Sequence, residues 1–70
     1  MIRQSVSSSN IASIGYDAKS QTLEIEFLSS GVYQYYNVSA SLYQEFMRAS
    51  SHGTFFHQNI KGRYGDTKVS

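Results

Sequence analysis

Residues 22–28 read Thr-Leu-Glu-Ile-Glu-Phe-Leu, in which apolar and charged side chains alternate from Leu23 to Phe27. A period of two places Leu23, Ile25 and Phe27 on one face of a strand and Glu24 and Glu26 on the other. Such a strand needs backbone partners at its edges and a layer over its apolar face. Both neighbours are legible. Upstream, Ile11-Ala12-Ser13-Ile14-Gly15-Tyr16-Asp17 also alternates, and Asp17-Ala18-Lys19-Ser20 is a short polar connection. Downstream, Ser29-Ser30-Gly31 turns the chain into Val32–Val38, rich in β-branched and aromatic residues. Three strands joined by two tight turns form an antiparallel meander.

The period then lengthens. Ser39 is a good N-cap, because its hydroxyl can accept from an orphan amide of the first turn. Leu42, Phe46 and Ala49 follow at helical spacing, widened by Tyr43 and Met47. A helix is expected from about Ala40 to Ser50. Ser51 opens a second, shorter helix carrying Phe55, Phe56 and Ile60, and Gly62 is placed to stop it. The fold class is therefore α+β: a three-stranded antiparallel β-meander, one face covered by one longer and one short C-terminal helix. The expected core is Ile14, Leu23, Ile25, Phe27, Leu42, Phe46, Phe56 and Ile60, joined by Tyr33 or Tyr35. Residues 1–9, serine-rich and without a period, read as a flexible tail, although Met1-Ile2 and Val6 could dock as a short edge; residues 10–66 read as the domain; residues 67–70 read as a fraying end.

Composition excludes more than it assigns. At 70 residues the chain holds one domain at most. It has no cysteine, so disulfides and thiolate metal sites are excluded. His52 and His57 are five apart, which does not place two zinc ligands on one helical face. No stretch approaches a membrane span, and residues 1–10 lack the apolar run of a secretory signal. A cytoplasmic location with no membrane partner, no metal and no cofactor is the expectation.

In order along the chain, Ser9–Asp17, Thr22–Phe27, the Tyr33-Gln34-Tyr35 triplet, Leu42–Phe46 and Ser51–Tyr64 resemble the signature segments of the KTSC domain. That is a small bacterial and phage domain, found as a C-terminal appendage of some lysine–tRNA ligases and also free-standing. Relatives often carry proline near positions 39, 40 and 65; this chain has none. The resemblance implies the fold and leaves the activity open, with RNA binding suggested by the ligase context.

The candidate sites follow from residue types. Lys61, Arg63 and Lys68 are three of the six basic residues, with Tyr64 among them and Arg48 able to join from the first helix. Basic groups beside an aromatic suit phosphate contact with base stacking. The same residues also suit a helix C-terminus and a soluble surface. Tyr33 and Tyr35 share a face, either as a stacking platform or as core. Glu24 and Glu26, expected exposed, make an RNA platform on the open sheet face unfavourable. No catalytic motif occurs, and so small a domain leaves little volume for a pocket of a few hundred Å³. The expected role is a small non-catalytic accessory domain whose candidate partner is RNA or single-stranded nucleic acid. The alternative is a protein-interaction module, self-associating or otherwise, with the oligomeric state open.

Overall fold

Seven elements make up the computed structural model, which covers residues 1–70. They are β1 (Arg3–Ser5), β2 (Ile11–Asp17), β3 (Thr22–Phe27), β4 (Gly31–Tyr35), α1 (Ala40–Arg48), α2 (His52–Asn59) and β5 (Asp66–Lys68). The strands lie in the order β1-β2-β3-β4-β5, every pair antiparallel. Both helices sit between β4 and β5 in sequence and pack on one sheet face.

The α+β class holds, and the three-stranded sheet is corrected to five. The middle strands are those the alternation marks. The two additions, β1 and β5, are three-residue edges whose residues are all exposed. They carry no hydrophobic period because nothing covers them. Backbone bonds hold them instead: the Val6 amide donates to the Ala12 carbonyl (3.1 Å), and the Val69 amide to the Val32 carbonyl (2.8 Å). Segments read from sequence as a tail and a fraying end thus contribute the two sheet edges.

A bulge sets the core. Ile11 pairs with Phe27 and Ser13 with Glu26, leaving Ala12 as an extra residue. The inserted residue turns Ile11 to the same face as Ile14, against the simple alternation. Both are fully buried. The core is Ile11, Ile14, Leu23, Ile25, Tyr35, Val38, Phe46, Phe56 and Ile60, with Phe27 and Leu42 half-buried against it.

The caps are those expected. Ser39 Oγ accepts from the Leu42 amide (3.1 Å) and Ser51 Oγ from the Thr54 amide (3.2 Å). On α1, Phe46 is fully buried and Tyr43 stacks on Tyr16 of β2, ring centroids 4.7 Å apart. The Tyr16 hydroxyl donates to the Val38 carbonyl, tying the start of α1 to the sheet. Gly62, at φ 75°, follows the Ile60 cap of α2 in a left-handed conformation that glycine adopts cheaply.

The opposite sheet face departs from expectation. Glu24 is 8% exposed rather than open. Its Oε1 accepts from Gln34 Nε2 (2.8 Å) and its Oε2 from Arg3 Nη1. Arg3 Nε also donates to Ser13 Oγ (3.0 Å), which donates to Glu26 Oε1 (2.8 Å). Arg3 crosses the sheet over Gly15, where a Cβ would fall 3.0 Å from its Cγ and 2.8 Å from the Ile2 carbonyl oxygen. Alternation fixed which face Glu24 takes, but a neighbouring edge strand decided its burial.

Candidate functional site

The largest hollow is a cleft of about 370 Å³ between the end of α2 and the β4–β5 edge. It corrects the expectation that so small a domain has little room for a pocket. Each wall follows from an element already placed. Phe27 ends β3, while Tyr33 and Tyr35 come from alternate positions of β4 and so share the helix-facing side. Phe56 reaches down from α2. The four rings meet edge to face: Phe27 with Tyr33 at 5.7 Å, Phe27 with Phe56 at 5.2 Å, and Tyr35 with Phe56 at 5.6 Å.

Polar groups stand around these rings. Lys61 follows α2, its amide donating to the Phe56 carbonyl (2.9 Å), and Gly62 then turns the chain back. His57 lies exposed with its ring on Phe56 (5.6 Å). Asp66 opens β5 directly opposite Tyr35. Both ion pairs in the structure belong to Arg3, so Lys61 and Asp66 face solvent without a charged partner. Burial pushes the Tyr35 phenol up to about 12, with the Asp66 carboxylate and then Tyr33 adding to the shift.

The basic residues divide. Lys61 lines the cleft, and Arg63 is exposed on the same turn, its amide donating to the Ile60 carbonyl (3.0 Å). Lys68 lies opposite Tyr33 on the helix-facing side of β5, its stem close to Gly31. Tyr64 is half-buried against the core and is not among the cleft residues. Arg48 does not join them. It lines a separate hollow with Gln4 of β1, at the far edge of the sheet. Four strand spacings of about 4.8 Å make that roughly 19 Å from β5.

Other constellations are not assembled. Ser30, His57 and Asp66 all line the cleft, yet His57 and Asp66 do not pair, so no oriented nucleophile and base exist there. His52 packs on Phe46 (5.9 Å), apart from His57, and no three His, Asp or Glu side chains cluster. On the opposite face, the Gln34 hydrogen bond holds the Glu24 carboxyl below its ordinary range; burial opposes it, and the Arg3 hydrogen bond and charge add to the lowering. No helix is long and apolar enough to cross a membrane.

Sequence reasoning found Lys61 and missed Phe27, Phe56 and Asp66 as neighbours. The one available signal was the shared face of Tyr33 and Tyr35. The rest required knowing that a fifth strand returns beside β4.

Comparisons with known proteins agree with this fold. The family model for the KTSC domain matches residues 7–64. A lysine–tRNA ligase of Trichormus variabilis is 39% identical over 55 residues, covering 79% of this chain but 10% of that protein. The chain thus spans about a tenth of the length of that ligase. An uncharacterized protein of Stutzerimonas stutzeri is 38% identical over 64 residues, covering 91% of this chain and 90% of its own. The crystal structure of a KTSC domain protein from Yersinia pestis superimposes with a TM-score of 0.98 at 48% identity, covering 99% of this chain and 97% of that one.

Proposed function

This chain belongs to the KTSC domain family, and from that premise we infer that it is a non-catalytic accessory module that holds single-stranded RNA at the cleft between α2 and β5. One observation carries the reading: an aromatic-walled cleft large enough for a nucleotide has an unpaired lysine at its rim. Single-stranded RNA presents unstacked bases, and aromatic side chains take them by stacking. Lys61, with Arg63 beside it and Lys68 on β5, would lie along the phosphates. The relatives named lysine–tRNA ligases point the same way, since their name places them with tRNA. The interaction alternative rests on two free sheet edges, β1 and β5. Each is three residues long, and short edges are poor templates for pairing.

The test is fluorescence anisotropy of labelled single-stranded RNA at 50 and 200 mM salt. Replacing Lys61 and Arg63 by glutamine removes two charges and should lower the salt slope by roughly 1.4, at about 0.7 per contact. Tyr33→Leu should weaken binding by about 1–3 kcal/mol and leave the slope unchanged, because stacking releases no counterions. Wild-type protein with no saturable binding below about 100 µM at 50 mM salt overturns the reading, as that is weaker than ordinary non-specific association.

A further inference from the structure

The rim of the cleft carries one feature that phosphate binding does not use. Asp66 is an exposed carboxylate, paired with nothing, on a strand whose neighbouring basic residue serves the opposite charge. A carboxylate repels a phosphate backbone, so in a purely electrostatic RNA site it is a cost. It becomes useful where the ligand presents N–H donors.

Resting on the RNA reading above, we propose that the cleft selects guanine, whose N1–H and N2–H groups donate side by side to the Asp66 carboxylate while the base lies among Phe27, Tyr33 and Phe56.

The argument is one of donor and acceptor order. An ionised carboxylate only accepts, and its two oxygens accept a bidentate pair. Among the four RNA bases, guanine alone sets two donors next to each other on its Watson–Crick edge. Adenine and cytosine offer one amino group beside a ring nitrogen that accepts. Uracil offers one N–H between two carbonyls, which the carboxylate repels. The third position of the guanine edge is the O6 acceptor and calls for a donor. Tyr35 lies directly across β4–β5 from Asp66 and lines the same cleft. Its phenol is protonated at neutral pH, as an ordinary phenol is, and burial only raises it further. A phenol donor on one strand beside two carboxylate acceptors on the next supplies the set that complements O6, N1–H and N2–H. Lys61 stands on the α2 side of the same cleft, where it can meet a phosphate without competing for Asp66.

The test compares two labelled nonamers, nine uridines and the same strand with one central guanosine, against the full chain. A single guanosine avoids self-association of G-rich strands. A good bidentate base contact gives about five- to a hundredfold discrimination, so the guanosine strand should bind tighter by that factor. Asp66→Asn replaces one acceptor by a donor. It should erase the preference, leave the salt slope unchanged and leave the all-uridine strand bound as well or better. Asp66 is exposed on an edge strand, and a thermal melt of the variant checks that it folds. Guanosine 5′-monophosphate competing better than uridine 5′-monophosphate would show that the base is read as a free nucleotide too; equal competition with a preserved strand preference would assign the recognition to RNA. Equal affinity of wild type for the two strands overturns guanine selection and leaves RNA binding standing. A preference that survives Asp66→Asn overturns the role of Asp66. Binding to neither strand overturns the RNA reading and guanine selection together.

Discussion

Gly31→Ala should unfasten the C-terminal edge of the sheet. Gly31 opens β4 with φ at 96°, a region that disfavours any residue with a Cβ. The added methyl would also collide with the main-chain carbonyl oxygen of Ser70. That carbonyl accepts from the Val32 amide (3.1 Å), and the Val69 and Ser70 amides donate to the Val32 carbonyl (2.8 and 3.3 Å). The left-handed strain costs about 1–2 kcal/mol. Displacing residues 69–70 loses three hydrogen bonds at about 0.5–1.5 kcal/mol each, fewer in effect because two share one carbonyl. With the two bonds to one carbonyl counted as one, the sum is about 2–5 kcal/mol. A chain of this size has roughly 3.5–10 kcal/mol in all, at about 0.05–0.15 per residue. Urea unfolding followed by circular dichroism at 25 °C should therefore show a midpoint lowered by about a fifth or more. A chain ending at Lys68 separates the two contributions. Without the Ser70 carbonyl, the same substitution should cost only the strain, about 1–2 kcal/mol. An equal loss in both backgrounds would refute the reasoning, because the close approach would then contribute nothing.

Phe46 is fully buried under α1, so Phe46→Ala should cost about 3–5 kcal/mol and bring the domain near unfolding at 25 °C; an unchanged thermal melt would remove it from the core. Glu24 has its carboxyl held low in the folded state, so its contribution to stability is complete above the unfolded value of 4.5 and is lost as pH falls through the lower folded value. Melts between pH 6 and pH 3 should fall in wild type and flatten in Gln34→Ala and Arg3→Ala, which remove the groups that lower it; equal pH dependence in all three would sink the network as its cause.

The legibility of this fold tracks what its elements bury. Leu23, Ile25 and Phe27 repeat every second residue because one side of β3 meets the helices, and Ser39 and Ser51 mark helix starts because orphan amides need an acceptor. Those signals are local and the sequence carries them. β1 and β5 bury no apolar side chain, so no hydrophobic period marks them; backbone pairing with strands far off in the chain, and for β1 the bonds of Arg3 to Ser13 and Glu24, specify them instead. Ile11 escaped for a related reason: the bulge at Ala12 breaks the alternation that would have assigned it.

The cleft has the same origin. With three strands, two helices could cover the apolar face completely, and Tyr33 and Tyr35 would both be core. The structure adds β5 beside β4, on the far side from α1, and α2 does not reach over it. Tyr35 is consequently buried while Tyr33 is half-exposed, and Asp66 and Lys68 stand on the helix-facing side with no helix above them. An uncovered margin of an otherwise packed face is lined by rings on the core side and by charges on the outer side. That mixture is what the RNA proposal draws on, an apolar face for a base and separate charges for its edge and its phosphate. The cleft is therefore a consequence of the edge strand that hydrophobic patterning cannot reveal, which explains why Lys61 was visible in the sequence as a basic residue while Phe27 and Phe56 were visible only as core.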